Sequence, residues 1–393
     1  MSYVGHLREI GSASIGRAVT DTLYVSPEGA GTNGKTWAGA FTTIQAALDA
    51  ASTDADECTL ILISPHTSNY NINTTGDPTW TGNYILQGTK RNWAKVMNAH
   101  ASATSVMKFT GKVAVQDLNI NLGTANNGLI LTHGGSRVVR GQFVGEDLTS
   151  AKTCIWLDHA STGKHAKVID VDIHGNVTYC RGLLVDNFAR SRFRDIRIHS
   201  CLEGIQIVGA TSDHNSFENI DIGDCTHANG IGINIDAGNE QHFSDITFHH
   251  NTKNVDDEVG DHLWGGIYGQ FPIEILPNDL DGTTFTTGDA ASGIEADWGT
   301  AIAFIAADEL EGPYRIVGVH VEPADTDWFE LRFSADSGAT YSDRVLFKDA
   351  KRAGSGAPSG TEYIFNAKSE FYCEARNESG GDNVNVWVEI QKI

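Results

Sequence analysis

Carboxylates recur at a nearly fixed interval in the middle of the chain, with one arginine among them. Asp172, Arg197 and Asp221 follow one another at almost equal intervals, and Asp195 closely precedes Arg197. Glycoside hydrolases act with two carboxylates about 5–10 Å apart, and a lyase would pair an Asp cluster with Arg or Lys. These four residues are therefore the catalytic candidates, although exposed ion pairs account for them equally well.

Histidines follow the same interval two positions further on. His174 and His199 repeat the spacing of Asp172 and Arg197, and His249 comes two intervals later. Imidazoles bind transition metals, so His174 and His199 are candidate metal ligands. No carboxylate in the pattern completes a tetrahedral set, and solvated turn histidines are the alternative interpretation. We therefore expect no bound metal.

A short phrase repeats around these residues, beginning with Val or Phe. Its copies start at Val115, Val138, Val168, Phe193, Phe217 and Phe243. A period in the twenties is typical of stacked units, either leucine-rich repeats or coils of a parallel β-helix. The recurring residues are Ile, Val and Phe without a helical period, which favours strands. Each unit is thus predicted to be one coil of a right-handed parallel β-helix.

Coil stacking assigns a place to each position of the phrase. Two inner columns are predicted, and the leading Phe residues form another. The columns are Val171, Ile196, Ile220 and Ile246; Ile173, Ile198, Ile222 and Phe248; and Phe193, Phe217 and Phe243. One bend position holds Asp170, Asp195, Asn219 and Asp245, residue types that bond their own backbone.

The segment before the repeats has a recognisable pattern. Residues 24–48 read YVSPEGAGTNGKTWAGAFTTIQAAL, in which Thr42 or Thr43 caps a short helix with Ile44, Ala47 and Leu48 on one face. This closely resembles the opening segment of pectate-lyase-like right-handed β-helix proteins, especially those of bacteriophage tailspikes, fibres and virion decorations. The coils after it resemble such proteins only in their general repeat pattern and match no specific motif. The resemblance implies a β-helix closed by a capping helix, and a trimer; enzymes and binding proteins both carry this segment.

The same segment contains a formal P-loop match, GAGTNGKT at Gly29–Thr36. A P-loop feeds directly into its helix, whereas the helical pattern starts only near Thr43. The next strand, Thr59–Ile63, ends without the Asp that would hold Mg²⁺. No nucleotide or other cofactor is therefore predicted.

The chain changes character after the repeats. We expect an N-terminal arm at residues 1–20, the β-helix at 21–265, a cap or linker at 266–292 and an antiparallel β-sandwich or jelly roll at 293–393. The last region has longer alternating strands and turns such as DSG at 336–338. A sandwich after a β-helix resembles the C-terminal modules of virion spikes and fibres.

Composition limits the partners. The net charge is −22 with 28 Lys and Arg, and no Lys/Arg patch in the sequence offsets repulsion from phosphates, so no nucleic-acid partner is expected. Residues 1–20 lack the apolar core of a secretory signal, and no apolar run is long enough to predict a membrane span. The six Cys lack C-x-x-C spacing and are predicted to be reduced and packed inside the coils of a protein made in a host cytoplasm.

Two functions from different classes remain open. The first is a homotrimeric structural virion protein of a tailed phage, a spike, fibre or decoration that binds host-surface polysaccharide or stabilises the particle. Its arm would contact other virion proteins. The second is a polysaccharide-degrading enzyme, a glycoside hydrolase or lyase, acting through the carboxylates on the outer face of the coils. The first is the main prediction, because no residue set specifies catalysis.

Overall fold

The described part of the chain is mainly β-structure and divides into two units. The computed structural model describes residues 18–124, 126–260, 262–269, 273–276, 283–286, 288–289, 302–305, 313–323, 329–334, 345–347, 364–365, 371–377 and 383–393. The units are Met1–Asn254 and Val255–Ile393. Most of the expected arm, residues 1–17, lies outside the described residues. The expected domain bounds at residues 20, 265 and 292 stay predictions.

The first unit opens as a strand, a helix and a second strand. Strand β1 is Asp21–Val25, helix α1 is Ile44–Ala50, and β2 is Thr59–Ile63, which pairs with β1 in parallel. The helix begins after Thr43, whose hydroxyl accepts a hydrogen bond from the Ala46 N–H at 3.1 Å. Its buried face is Ile44, Ala47 and Leu48, as the sequence predicts.

Short parallel strands wind into a β-solenoid of about eight turns, which confirms the predicted parallel β-helix. These strands are β3 (Tyr70–Ile72), β4 (Thr79–Trp80), β5 (Tyr84–Gly88), β6 (Ala94–Asn98), β7 (Ser105–Phe109), β8 (Val113–Gln116), β9 (Leu118–Asn121), β10 (Asn127–Leu131), β11 (Arg137–Val139), β12 (Gln142–Val144), β13 (Lys152–Lys164), β14 (Lys167–His174), β15 (Cys180–Ala189), β16 (Arg192–His199), β17 (Glu203–Val208), β18 (Ser216–Gly223), β19 (Ile231–Ile235), β20 (His242–His249) and β21 (Lys253–Asp257).

Two sheets run along the solenoid. One follows the order β1-β2-β5-β8-β11-β14 and returns through β12-β9-β6-β3, while β16, β18 and β20 continue from β14. The other includes β19-β17-β15-β13-β10-β7-β4. Strand β14 pairs with both β11 and β12, so a bend separates two strands in the early coils and lies within one strand in the later coils.

The bend is held by residues in the left-handed region. The φ angles of Asp170, Asp195, Asn219 and Asp245 are 52° to 55°, which confirms their common position. Asp and Asn adopt this conformation more readily than other side chains. The earlier copies of the phrase continue the column with Asp117 at φ 58° and Arg140 at φ 54°. Each of the six coils that carry the phrase therefore turns at its third residue.

The predicted inner columns are confirmed by the register. Val171, Ile196, Ile220 and Ile246 are successive partners on β14, β16, β18 and β20. In the leading column Phe217 packs between Phe193 and Phe243, with ring centroids 4.6 and 4.9 Å apart and interplanar angles of 12° and 15°. All three rings are fully buried. A shift by one residue would turn these side chains to solvent, so burial fixes the register.

All six cysteines are free and buried. Five lie in the first unit, as predicted for the coil interior, whereas Cys373 lies in the second unit, which corrects the expectation for that residue. Cys154 and Cys180 lie one coil apart with their sulfurs 3.4 Å from each other. Burial raises the pKa of Cys225 to about 12, because the apolar interior disfavours a thiolate. The thiols therefore serve as small apolar side chains in the core.

The second unit contains two further sheets, mostly antiparallel. One pairs β23 (Ile273–Leu276) and β24 (Thr283–Thr286) with β32 (Asn383–Lys392), and β32 with β27 (Tyr314–Pro323), which pairs with β30 (Ile364–Phe365). The other joins β25 (Gly288–Asp289), β26 (Ile302–Ile305), β28 (Phe329–Ser334), β29 (Val345–Phe347) and β31 (Phe371–Asn377). Strand β22 (Leu263–Gly269) precedes them. This pair of sheets confirms an antiparallel C-terminal region, and their packing as a sandwich stays a prediction.

The described part of the chain contains one helix, α1, of seven residues. No helix among the described residues has the size and hydropathy of a bilayer-spanning segment.

Candidate functional site

An outward polar row crosses the middle coils. Asp172, Arg197, Asp221 and Thr247 are successive register partners, so the structure places three of the predicted catalytic candidates in one line. Arg197 Nε lies 3.5 Å from an Asp221 carboxylate oxygen, with both side chains exposed to solvent. Asp172 and Asp221 are two coil spacings apart, about 10 Å. The row can therefore hold two carboxylates on either side of a guanidinium.

The fourth catalytic candidate is not in this row. Asp195 is a bend residue whose carboxylate accepts hydrogen bonds from Arg194 Nε at 3.0 Å and Asn219 Nδ2 at 2.7 Å. The Asn219 contact lies along the bend column and the Arg194 contact is to the preceding residue, so Asp195 stabilises the turn of its coil. The geometry gives it a structural role beside the row.

A histidine column lies next to the row, formed by His174, His199, Gly223 and His249 as register partners. The rings of His174 and His199 are stacked at 5.7 Å. The His249 ring is 5.5 Å from that of His199, although Gly223 occupies the coil between them. A Cβ on Gly223 would meet the His249 ring at 1.8 Å, so the missing side chain gives this ring its place.

Each carboxylate of the row faces a histidine of the column. His249 Nε2 is 2.9 Å from Asp221 Oδ1, and His174 Nε2 is 3.4 Å from Asp172 Oδ1. Burial lowers the pKa of His199; the Asp221 carboxylate opposes this shift, and the positive charges nearby add to it. Its side chain is only 19% exposed. Burial therefore favours the neutral form of His199.

A second bend at the end of these strands brings three potential ligands together. Asp224 and His250 both have left-handed backbones, with φ of 58° and 54°, and lie on adjacent coils. Ligand atoms of Asp224, His249 and His250 all lie within 4.8 Å of one another. His199 Nδ1 is 3.9 Å from Asp224 Oδ2. A carboxylate therefore lies beside His249 and His250, a proximity that the sequence analysis did not predict.

The sequence analysis named His174 and His199 as the metal candidates, but the three residues that converge are Asp224, His249 and His250. His174 contacts Asp172 instead. The signal that could have found Asp224 is its spacing to His250, which equals the spacing of Gly223 to His249. Gly223 and Asp224 on one coil are therefore matched by His249 and His250 at the same two positions of the next coil.

A basic cavity of about 690 Å³ lies on the same solenoid. Its lining includes four Lys and Arg side chains and two histidines, and no carboxylate among the described residues. These are Lys112, Arg137, Lys164, Lys167, His159 and His165. Arg137 and Lys167 are register partners on β11 and β14, and burial lowers the pKa of Arg137.

This cavity corrects the expectation that the chain has no patch of Lys and Arg. The cations come from three places in the sequence, at Lys112, at Arg137 and at Lys164 with Lys167, and coil stacking brings them together. One glycine shapes the wall: Gly135 has φ +78°, and a Cβ on it would lie 2.9 Å from the Lys112 side chain. The cavity is therefore a local positive site on an acidic chain.

The fold and these outward rows define the chain as a parallel β-helix protein. No protein-family model and no curated protein matches the sequence. Among solved structures, pectate lyase Pel9A is similar with 18% identity and a TM-score of 0.44, over 61% of this chain and 65% of that one. Pantoea stewartii WceF, described as a glycan biofilm modifying enzyme with a bacteriophage tailspike-like parallel β-helix fold, has 8% identity and a TM-score of 0.34, over 84% of this chain and 55% of that one.

A third similar structure is the tailspike gp61 of Pseudomonas phage phi297, with 12% identity and a TM-score of 0.26, over 86% of this chain and 64% of that one. The alignments thus cover less than two thirds of each of the three solved chains.

Proposed function

We propose that this protein is a virion component of a tailed phage that binds an anionic polysaccharide at the host surface through the basic cavity. The observation that carries the proposal is the cavity itself, where Lys112, Arg137, Lys164 and Lys167 converge on a chain of net charge −22. The opening segment, with its resemblance to phage β-helix proteins, supports the virion assignment. The solenoid supplies a rigid lateral surface for a long polymer.

Electrostatics favours a ligand with spaced negative charges over a polyphosphate. The acidic surface repels a densely charged chain, whereas the cavity attracts a single carboxylate or sulfate held between neutral sugar rings. Its volume of about 690 Å³ lies within the roughly 300–1,000 Å³ of ligand pockets. Uronate-containing or sulfated glycans meet both conditions.

The test is binding of purified host capsular or surface polysaccharide to the full chain, measured by calorimetry at two salt concentrations. Lys164→Gln/Lys167→Gln should weaken binding at least about tenfold, since a hydrogen bond to a charged group contributes roughly 1.5–3 kcal/mol. Lys95→Gln/Lys152→Gln removes the same charge elsewhere on the solenoid and should leave affinity unchanged. Equal losses in the two double variants, or equal binding of a neutral glycan, would contradict a site at the cavity.

The assembly is proposed to be a homotrimer anchored by its N-terminal arm to other virion proteins. This part of the proposal is supported by the resemblance of the opening segment to phage spike proteins. Light scattering coupled to gel filtration measures the mass directly, and a monomer of 42.3 kDa would contradict the trimer. A reconstruction of the particle would locate the protein on head, tail or baseplate.

A second candidate function is polysaccharide cleavage at the polar row. The observation favouring it is that Asp172 and Asp221 lie on either side of Arg197 at a spacing near the upper end of the range for inverting hydrolases. Release of reducing ends or unsaturated sugars from host glycan, lost in Asp172→Asn and Asp221→Asn but kept in Asp195→Asn, would support it. If the glycan binds but is not cleaved, the cleavage function is contradicted and only the binding function remains.

A further inference from the structure

The cluster of Asp224, His249 and His250 combines a backbone and a side-chain arrangement suited to a cation. Asp224 and His250 project from equivalent left-handed bends on adjacent coils, and the backbone N–H of Asp224 donates to the His249 carbonyl at 3.0 Å. The interstrand ladder thus fixes the coils that carry all three side chains. Such fixed backbones limit the movement needed to complete a coordination sphere.

The atom separations are close to those of a coordination sphere. His250 Nδ1 lies 3.3 Å from one Asp224 oxygen, and His199 Nδ1 lies 3.9 Å from the other. Bonds of about 2.1 Å in a tetrahedral site place ligand atoms about 3.4 Å apart. Rotations of the exposed His250 side chain and the partly exposed Asp224 side chain cover the remaining difference.

Asp221 provides an outer partner for one of these histidines. Its Oδ1 accepts from His249 Nε2 at 2.9 Å, which leaves the Nδ1 lone pair of that ring for a cation. Carboxylate–histidine pairs of this kind orient metal-bound imidazoles and fix their tautomer. Gly223 completes the arrangement, because any Cβ there would overlap the His249 ring.

We propose that Asp224, His249 and His250 bind a divalent transition-metal ion of the zinc class, with His199 as the adjacent fourth donor and Asp221 as the partner of His249. Two or three imidazoles with one carboxylate suit Zn²⁺, Co²⁺, Ni²⁺ or Cu²⁺, whereas Ca²⁺ and Mg²⁺ prefer all-oxygen sets. The ion would tie three neighbouring coils together on their outer side. The site is separate from the basic cavity and does not depend on the proposed glycan binding.

The test uses the tag-free full chain, stripped with chelator and titrated with ZnCl₂ by calorimetry and with CoCl₂ by visible absorption. One ion per chain is expected, with the intense d–d bands of a four-coordinate Co²⁺ site. Asp224→Asn and His250→Ala should each weaken Zn²⁺ binding at least about 100-fold. Loss of a direct ligand should cost no less than the largest loss found when a hydrogen-bond partner of a ligand is removed. Asp221→Asn should cost roughly 10- to 100-fold while the stoichiometry is kept.

A matched control is His214→Ala, which removes an exposed histidine paired with Glu240 elsewhere on the solenoid. It should leave the affinity unchanged, and Gly223→Ala should weaken it by displacing the His249 ring. The proposal is overturned if Zn²⁺ saturates no site even at millimolar concentration. It is also overturned if His214→Ala weakens binding as much as His250→Ala, or if millimolar Ca²⁺ displaces Co²⁺. His250 is 79% exposed, so its replacement leaves the core intact.

Discussion

The stack of Phe193, Phe217 and Phe243 is the most direct test of how the solenoid is held together. Phe217 is fully buried and packs on two rings, at 4.6 and 4.9 Å. Phe193 is equally buried, but its partners along the column are Phe217 on one side and Val168 on the other. Replacing each Phe by Ala therefore removes the same side chain with a different number of stacked rings.

The magnitude follows from burial and stacking. A buried Phe→Ala change costs about 3–5 kcal/mol through lost apolar contacts and the cavity left behind. Each aromatic pair adds roughly 0.5–1.5 kcal/mol, so Phe217→Ala should cost about one such increment more than Phe193→Ala. At roughly 2–4 °C per kcal/mol for a unit of this size, Phe217→Ala should lower the melting temperature by about 6–20 °C. Phe217→Leu keeps most of the apolar volume and should lower it by half of this or less.

Differential scanning calorimetry of the full chain at one scan rate measures these shifts, with circular dichroism to confirm that each variant is folded. The expected order of melting temperatures is wild type, Phe217→Leu, Phe193→Ala and then Phe217→Ala. A shift below about 3 °C for Phe217→Ala would refute the reasoning, since a buried ring in a closed column cannot be removed at that cost. A larger loss for Phe193→Ala would show that stacking does not set the order.

Two further predictions concern titratable groups. The ring protons of His199 should titrate below the ordinary histidine pKa of about 6.5. Since the folded pKa is depressed, its contribution to stability is present above about pH 6.5 and is lost as the pH falls through the folded value. Asp221→Asn should lower this pKa further, because the Asp221 charge raises it; an unchanged or higher NMR midpoint would contradict this electrostatic effect. All six thiols should resist a disulfide reagent at about pH 8 in the native protein and react in denaturant, because all six are buried and out of reach of the reagent. Prompt reaction of any native thiol would contradict the packing.

The sequence predicts the solenoid well because its core obeys a rule that can be read locally. Inner positions need β-branched or aromatic residues, and the bend needs Asp or Asn, so the two signals recur together in each copy. The register of Ile196 with Ile220 and the left-handed φ of Asp195 and Asn219 confirm both. The early copies are harder to recognise, since Arg140 occupies the bend that Asp usually fills. There Arg140 forms two hydrogen bonds of 2.8 Å with Asp117, its neighbour in the bend column.

The outward sites are less predictable, because their residue types obey no rule of burial. Outer positions tolerate any polar side chain, so the spacing of Arg137 to Lys167 does not stand out, although it equals that of Val138 to Val168. Arg137 and Lys167 meet as register partners on β11 and β14, whereas His159, Gly163 and Lys164 come from the part of β13 where the register shifts between Asp158 and Gly163. The lining therefore includes residues from an irregular stretch of one coil, which an average repeat cannot show.

The histidine column shows why a small residue in a ladder can be the informative one. Along the sequence, Gly223 interrupts the series of His174, His199 and His249 and argues against a shared site. In three dimensions the interruption is what lets the His249 ring lean back over the preceding coil, 5.5 Å from His199 and within reach of Asp221. A fourth histidine at that position would fill the column with stacked rings and separate Asp224 from His249. The gap in the repeat therefore marks the place where side chains from three coils converge.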